Sequence, residues 1–226
     1  MILVVRSASQ LPSTLEALTS SGFTNLVSLP ISTSEIFPNQ PPTNTILIFT
    51  SPHGVSATQP TPTSQCVCVG PATAQAARKK GFDVVLTGHT NANDLAHLIN
   101  QTFPPNTHFT HMHGNTAHLN WHQHVREHHN HIHKQCVYHT HYLPALPTDI
   151  IAKLPHITHI LMFSAGGASH LLNLLKTGNM LSCLHPSAKT VVLSPQVAQD
   201  IKNLPNVIIS PKPNLTSLLE TLRQNL

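Results

Sequence analysis

The sequence has few fixed charges and few aromatic side chains. Of its 226 residues, 9% are Asp, Glu, Lys or Arg and 4% are Phe, Trp or Tyr. Proteins that bind single-stranded nucleic acids combine basic grooves with aromatic stacking platforms, and the sequence has neither pattern. The formal charge of +4, counted with neutral histidine, is modest. We therefore expect no nucleic-acid partner, whereas a small anionic ligand remains open.

Long hydrophobic runs are also missing. The longest apolar stretch, residues 160–175, is interrupted by Ser164, His170 and Asn173, and it is shorter than the roughly 20 residues that span a bilayer. Residues 1–5 fit a short strand, since a secretory signal would place positive charge before a longer apolar region. The hydrophobic content of 40% is enough to form a core, which argues against bulk disorder. We expect a cytoplasmic protein with no membrane partner.

Cysteine is scarce, and its spacing gives no framework. Cys66 and Cys68 form a CxC pair inside an apolar run, and Cys136 and Cys183 are isolated. This pattern is neither a disulfide framework nor a CxxC zinc half-site. We expect the four thiols to be small buried side chains in a reducing compartment. No GxGxxG follows a strand and no GxxxxGK[ST] occurs, so an NAD or ATP enzyme is disfavoured.

Short apolar runs of strand length alternate with segments of helical period, which is typical of an α/β protein with parallel sheets. The chain predicts strands at 2–5, 45–49, 65–69, 83–86, 108–112, 156–163, 190–193 and 206–209. It predicts helices at 73–80, 93–101, 168–177 and 216–226. Proline after Gly70 and the stop at Gly81 support the first of these helices.

Two proline-rich segments divide the chain, and both resemble linkers. We predict linkers at 32–36 and 136–144. Residues 1–31 would join 145–226 in a discontinuous α/β domain, and 37–135 would form a second α/β domain inserted into it.

An internal repeat supports this division. Phe49-Thr50-Ser51 follows one predicted strand and Phe163-Ser164-Ala165 another, and loops at Gly70 and Ser194 follow at matching positions. In open parallel sheets, ligands bind beyond the carboxyl ends of the strands, where unpaired N–H groups at helix starts favour anions. The hydroxyls and glycines at these positions are our candidates for a binding site: Thr50, Ser51, Gly70, Thr73, Ser164, Gly166, Gly167 and Ser194.

At these segments the chain resembles the uroporphyrinogen-III synthase family, and the matching segments run in the family's order. They are Arg6 after the first strand, FTSPHGV at 49–55, VGPATA at 69–74, Asn91-Ala92, His113-Gly114, VYHT at 137–140, Phe163-Ser164, Ser194-Pro195 and PKP at 211–213. The resemblance implies two similar Rossmann- or flavodoxin-like parallel-sheet domains joined by a two-stranded linker. The chain departs from the family at His113, where an arginine usually precedes glycine, and at Ser194 and Val197, which replace glycine and threonine.

The resemblance also implies an activity. The family is a hydro-lyase of haem biosynthesis that removes water from hydroxymethylbilane and closes the macrocycle with inversion of ring D, without a cofactor. Tyr138 matches the family's interdomain tyrosine and is the expected acid for hydroxyl departure. The expected substrate-binding residues are Arg6, Thr50, Ser51, Gly70, Thr73, Asn91, Ser164, Ala165, Ser194 and Gln196. We expect a monomer whose only partner is this small-molecule substrate.

Histidine is in clear excess, with 19 in the chain and ten between 108 and 133. Helical spacing would pair His118 with His122 and His124 with His128, and residues 124–128 match the HxxEH pattern of zinc peptidases. We favour the simpler interpretation that histidine replaces other polar residues on a solvated helix face, and we expect no metal site. Adventitious binding of zinc, nickel or copper stays open, as does steering of a polyanionic substrate by protonated histidines.

Two other functions remain open from the sequence. The same loops would serve a non-catalytic two-domain protein that binds a small anion. A histidine-rich metal-binding protein is the weaker alternative.

Overall fold

The computed structural model describes residues 1–89, 91–117 and 119–226, and it shows an α/β protein. The strands are β1 (Ile2–Ser7), β2 (Leu26–Ile36), β3 (Ile46–Phe49), β4 (Gln65–Cys68), β5 (Asp83–Thr87), β6 (His108–Gly114), β7 (His131–Tyr142), β8 (His159–Met162), β9 (Lys189–Val192) and β10 (Val207–Ile209). The helices are α1 (Leu11–Ser20), α2 (Pro52–Ala57), α3 (Pro71–Lys80), α4 (Ala92–Thr102), α5 (His122–Arg126), α6 (Thr148–Lys153), α7 (Ala165–Thr177), α8 (Pro195–Ala198) and α9 (Leu215–Arg223). None of the described helices has the length and apolar character needed to cross a membrane.

The chain forms two compact units, and it passes between them in β2 and in β7. Unit 1 comprises residues 1–33 and 141–226, and unit 2 comprises residues 34–140. Each unit contains a parallel sheet with helices on both faces, as expected when strands and helices alternate along the chain.

In unit 1 the strand order is β10-β9-β8-β1-β2, and the neighbouring strands are parallel. Because side chains alternate along a strand, β1 contributes to two cores. Leu3 and Val5 pack with α7, whereas Ile2 and Val4 pack with α1 and α9. The sheet is therefore buried on both faces, which explains the continuous apolar run at the start of the chain.

Unit 2 repeats this arrangement with the order β5-β4-β3-β6-β7, again parallel. Leu47 and Phe49 of β3 pack in one core with α2 and α3, and Ile48 packs in the other with α4 and α5. Each strand of unit 1 has a counterpart at the same place in the sheet of unit 2. Only the order along the chain differs, because β1 and β2 precede β8 to β10 whereas β6 and β7 follow β3 to β5, so the two units share one topology. The predicted α/β class with parallel sheets is confirmed, and the internal repeat is visible in the topology.

All eight predicted strands and all four predicted helices occur, with ends that move by up to three residues. The apolar pattern did not predict β2 and β7, although the family resemblance implies a two-stranded linker. Residues 26–36 of β2 contain Pro30 and a run of Ser and Thr that resembles a linker, and β7 begins in the histidine-rich segment. Pro30 is accommodated because its partner on β1 is Arg6, directly before a shift in the register of the two strands, and proline occurs in sheets at such irregularities.

The interpretation of the histidine block as a helix face is wrong for most of its residues. His108, His111 and His113 lie in β6 and His131 and His133 lie in β7. Apolar side chains on the same two strands hold these histidines in the sheet, since Phe109, Met112, Ile132 and Val137 are all buried. The predicted partner His118 lies outside the described residues.

The cysteines divide into two classes. Cys66 and Cys68 are fully buried in the core of unit 2, as expected, but Cys136 and Cys183 are exposed, so the prediction that all four are buried is wrong. Cys136 lies on β7 beside the buried Val137, and the alternation of a strand places neighbouring side chains on opposite faces.

Gly54 is required by a close approach of α2 to β6. A Cβ atom at this position would lie 2.6 Å from the carbonyl oxygen of Met112, a backbone atom that cannot move aside alone. Gly54→Ala should therefore lower the free energy of unfolding by about 1–3 kcal/mol, the usual cost of overpacking. Ser56→Ala, an exposed position on the same helix, should change it by less than about 0.5 kcal/mol. Equal urea midpoints for Gly54→Ala and the wild type would contradict this packing.

Candidate functional site

The loops that follow the strands begin helices in a constant way. In four cases the helix N-cap lies two residues beyond the end of a strand: Ser51, Gly70, Ser164 and Ser194. The Ser51 side chain accepts a hydrogen bond from His53 N at 3.2 Å, and the Ser164 side chain accepts one from Gly167 N at 3.3 Å. These loops lie at the carboxyl edge of their sheets, where open α/β sheets bind ligands.

This constant spacing corrects the alignment of the internal repeat by one residue. The sequence pairs Thr50 with Ser164, but the caps pair Ser51 with Ser164. Strand register agrees, because Ile48 pairs with His111 and Leu161 pairs with Val4. His113 lies two residues after His111 on β6, and Arg6 lies two residues after Val4 on β1, so His113 is the counterpart of Arg6.

Tyr138, the predicted catalytic residue, lies in unit 2 against the loop after β3. The Ser51 side chain lies near its hydroxyl, and its ring centroid is 5.4 Å from that of His53. The ring rests on Gly114, where any Cβ atom would overlap it. Burial raises the pKa of Tyr138, and the Ser51 side chain nearby opposes this only in part. The phenol is therefore neutral near pH 7 and can donate a proton or a hydrogen bond.

Thr50 belongs to a buried chain of hydrogen bonds. Its Oγ1 lies 2.9 Å from His111 Nε2, and His111 Nδ1 lies 2.9 Å from His122 Nε2. His111 is fully buried and His122 is 3% exposed. The indole of Trp121 packs against both imidazoles. Burial first, and then the charge of His122, hold the pKa of His111 well below its usual range.

The pKa of His122 is lowered to about 4, first by burial and then by Arg126, Lys134 and His113. Its usual value is near 6.5, so between pH 6.5 and 4 the unfolded chain binds a proton that the folded chain does not. Stability is therefore present at neutral pH and lost as the pH falls. We expect the free energy of unfolding to drop by about 1–2 kcal/mol for this group between pH 7 and pH 5.

Urea titrations at several pH values test this expectation. His122→Phe should flatten the slope between pH 7 and pH 5, and His128→Gln, at an exposed position, should leave it unchanged. An identical slope in wild type and His122→Phe would show that His122 is not the group responsible.

Asn91 caps α4 in unit 2. Its side-chain oxygen accepts hydrogen bonds from Asn93 N at 2.9 Å and Asp94 N at 3.0 Å. The capping interaction gives Asn91 a local structural role, because it satisfies two of the unpaired N–H groups at the start of the helix.

Thr73 and Val197 occupy similar places on the inner faces of their helices, and each is 4% exposed. Val197 packs in the core of unit 1 and Thr73 beside Ala74 and Ala77 in unit 2. The valine at 197 is therefore explained by packing. The Thr73 side chain is buried, although Thr73 is an expected substrate-binding residue.

In unit 1 the predicted residues gather at the carboxyl ends of β1, β8 and β9. The Arg6 guanidinium lies over the ring of Phe163, 4.2 Å from its centroid. Its Nε is buried and has no hydrogen-bond partner among the described residues, and burial lowers its pKa. A buried guanidinium donor without a partner is costly, so this edge of the sheet fits an anionic ligand. Ser164 and Gln196 are exposed, and Ala165 and Ser194 are partly exposed.

His111 and His122 were missed as site residues because they were counted with the solvated histidines. A signal was present for His111. It follows Phe109 by two residues in a predicted strand, and the period of two places both side chains on the same buried face. No comparable pattern marked His122, which begins the short helix α5 and packs against the ring of Trp121.

The HxxEH segment does not form the continuous helix that this sequence pattern has in zinc peptidases. Helix α5 ends at Arg126, so His124 and His128 are not one helical turn apart. Glu127 Oε2 instead lies 3.4 Å from His124 Nδ1 in an exposed pair.

A cavity of about 800 Å³ lies at the opposite edge of the unit 2 sheet from the predicted residues. Its lining includes His108, Arg126 and His131, at the amino-terminal ends of β6 and β7 and at the end of α5. None of the predicted site residues lines it. This cavity is therefore separate from the predicted substrate-binding residues.

Comparison with known proteins supports the resemblance. A search of curated protein sequences gave no match. Among solved structures, a mutant uroporphyrinogen III synthase from Thermus thermophilus is 12% identical with a TM-score of 0.66, and the alignment covers 100% of this chain and 98% of that one. Uroporphyrinogen-III synthetase from Helicobacter pylori is 14% identical with a TM-score of 0.65, and the alignment covers 99% of each chain. At these identities the two structures show a shared fold.

The family itself is shown by the sequence. The family described as Uroporphyrinogen-III synthase HemD matches residues 13–220. This match takes in both units and nearly all the segments that carried the resemblance. The chain therefore belongs to the uroporphyrinogen-III synthase family, which is a lyase family of haem biosynthesis with a small-molecule tetrapyrrole substrate.

Proposed function

We propose that this chain removes water from hydroxymethylbilane and closes the macrocycle with inversion of ring D, giving uroporphyrinogen III and one water molecule. The family match over residues 13–220 carries this proposal. The reaction needs little nucleophilic help, because the hydroxymethylpyrrole ionises readily and closes unaided to the wrong isomer. The protein contributes most by selecting one conformer of the substrate.

Tyr138 is the proposed acid. Its hydroxyl donates a proton to the departing hydroxyl group, which leaves as water, and the proton lost when the macrocycle closes restores the phenol. The raised pKa of Tyr138 supports this role, since burial keeps the phenol neutral, and the nearby Ser51 side chain is placed to orient it. Ser51 is a positioning residue for this hydroxyl.

The acetate and propionate groups of the substrate need donors that do not move, and the carboxyl-edge loops supply them. We propose that Arg6, Ser164, Ala165, Ser194 and Gln196 bind from unit 1. The proposed residues of unit 2 are Thr50, Ser51, Gly70, Thr73 and Asn91. No cofactor takes part in this proposal.

We further propose that the enzyme is a cytoplasmic monomer without nucleic-acid or membrane partners. Segments 32–36 and 136–144 are the proposed interdomain linkers between the discontinuous domain, 1–31 plus 145–226, and the inserted domain, 37–135. The chain passes from one unit to the other in the strands β2 and β7, which supports this division.

Arg6 gives a test of substrate binding in unit 1. Arg6→Gln removes the fixed charge and should raise the KM for hydroxymethylbilane about tenfold with kcat within about threefold, because binding is lost equally in ground and transition states. Lys202→Gln, an exposed position of the same unit, serves as the charge control. An unchanged KM for Arg6→Gln would remove Arg6 from the substrate site.

The competing function is a non-catalytic protein that binds a small anion with the same loops. Incubating the purified chain with hydroxymethylbilane and separating the isomers by chromatography distinguishes the two. Saturable formation of the type III isomer supports the enzyme. Type I isomer alone, at the rate seen in buffer, would leave only the binding protein.

A further inference from the structure

The hydrogen bonds of the chain Thr50–His111–His122 can all be donated in one direction or all in the other. The direction decides whether the Thr50 hydroxyl can donate a hydrogen bond to a ligand or only accept one. Neutral imidazole carries a proton on one nitrogen and accepts at the other. Both rings are buried, and a charged imidazole is unfavourable there, so each ring is neutral.

In the first direction, His122 Nε2–H donates to His111 Nδ1, and His111 Nε2–H donates to Thr50 Oγ1. The Thr50 hydroxyl hydrogen is then free to donate elsewhere. In the second direction, the Thr50 hydroxyl donates to His111 Nε2 and His111 Nδ1–H donates to His122 Nε2. Thr50 then presents only oxygen lone pairs, which would repel a carboxylate. The distances of 2.9 Å at both links fit either direction.

Tautomer energetics favour the first direction. It places the proton of both rings on Nε2, the more stable tautomer of free histidine, whereas the second direction requires the less stable Nδ1–H form twice. Among the described residues, the two rings form only the hydrogen bonds of this chain, and Trp121 contacts both rings through its aromatic ring. His113, the third histidine nearby, is separately fixed because its Nδ1 donates to the carbonyl of Gly114 at 2.9 Å.

We propose that His111 and His122 form a buried, uncharged positioning relay that holds the Thr50 hydroxyl as a donor toward a substrate carboxylate. This inference rests on the proposed function only for the identity of the ligand. His111 and His122 do not touch substrate. They orient Thr50, which does.

The first test reads the tautomers directly and needs no substrate. Long-range ¹⁵N–¹H NMR spectra of the ¹⁵N-histidine-labelled full chain at pH 7.5 report which ring nitrogen carries the proton. Signals are assigned by their loss in His111→Gln and His122→Gln. We expect Nε2–H for both rings. An Nδ1–H signal from His111, or a doubly protonated ring, would overturn the relay even if the chain forms uroporphyrinogen III.

The second test links the relay to Thr50 by a double-mutant cycle on the KM for hydroxymethylbilane. Thr50→Val, which keeps the shape and removes the hydroxyl, should raise KM about tenfold with kcat within about twofold. His122→Phe should raise KM about three- to fivefold in the wild type and have no further effect in the Thr50→Val background. His122→Gln keeps a donor toward His111 and should recover most of the loss.

A purely structural role for His122 would give a different pattern. In that case His122→Phe would lower kcat or the folded fraction equally in both backgrounds, and this result would overturn the relay. An unchanged KM for Thr50→Val would also overturn it, because the oriented hydroxyl would then have no ligand. His128→Gln, an exposed histidine in the same segment, is the matched control. Failure of the proposed function looks different again, since the wild type would form no type III isomer.

Discussion

Tyr138→Phe should lower the kcat for uroporphyrinogen III formation about 100-fold with little change in KM. The substitution removes one hydroxyl from a ring that is 9% exposed and leaves the packing on Gly114 in place. A positioned general acid contributes about 10²- to 10⁴-fold, and a readily ionised hydroxymethylpyrrole places the expected loss at the low end. Steady-state kinetics with freshly prepared hydroxymethylbilane measure the effect.

Tyr142→Phe is the matched control, since the chain has only two tyrosines. The Tyr142 ring stacks on His170 in unit 1 and is not part of the proposed acid machinery. We expect its kcat to stay within about twofold of the wild type. Full activity in Tyr138→Phe would show that the phenol is a packing residue of β7, and the acid role would be lost.

Gly114→Ala should lower kcat at least tenfold while leaving every proposed functional side chain present. Its Cβ would overlap the Tyr138 ring at Cε2, and the ring must leave its present position. A displacement of about 1 Å can cost about 100-fold in rate when a reacting group leaves its aligned position. This explains why glycine follows His113, since the φ of Gly114 does not lie in the left-handed region.

The double variant Gly114→Ala/Tyr138→Phe separates displacement of the phenol from damage to the fold. Its kcat should be no lower than that of Tyr138→Phe alone, because both changes remove the same proton donor. Additive losses would mean that Gly114→Ala acts through the sheet instead. Thermal unfolding of each variant accompanies the kinetics as a check on folding.

Alternation of apolar strands and helices was enough to predict the fold, because both faces of each parallel sheet are buried. Runs such as Ile2 to Val5 and Ile46 to Phe49 are continuous in the sequence for that reason. The caps were also predictable, since Ser51 and Ser164 are preferred N-cap residues that precede the helices.

The site was only partly predictable from the sequence, because parts of it depend on contacts between residues that are distant along the chain. Tyr138, Ser51 and Gly114 lie far apart in the sequence, and they come together because β6 lies between β3 and β7 in the sheet. Packing against Trp121 and His122 likewise decides that His111 is buried. His111 is enclosed while His108, three residues earlier on β6, is exposed, and composition cannot separate the two.

The central claim is that this protein alone directs hydroxymethylbilane to the type III isomer. A single-turnover experiment tests it most directly, with chelator-treated protein in excess over hydroxymethylbilane and the isomers resolved after quenching. The account predicts that type III uroporphyrinogen predominates and that its yield rises in proportion to the protein added. The same type I product with and without protein would contradict it.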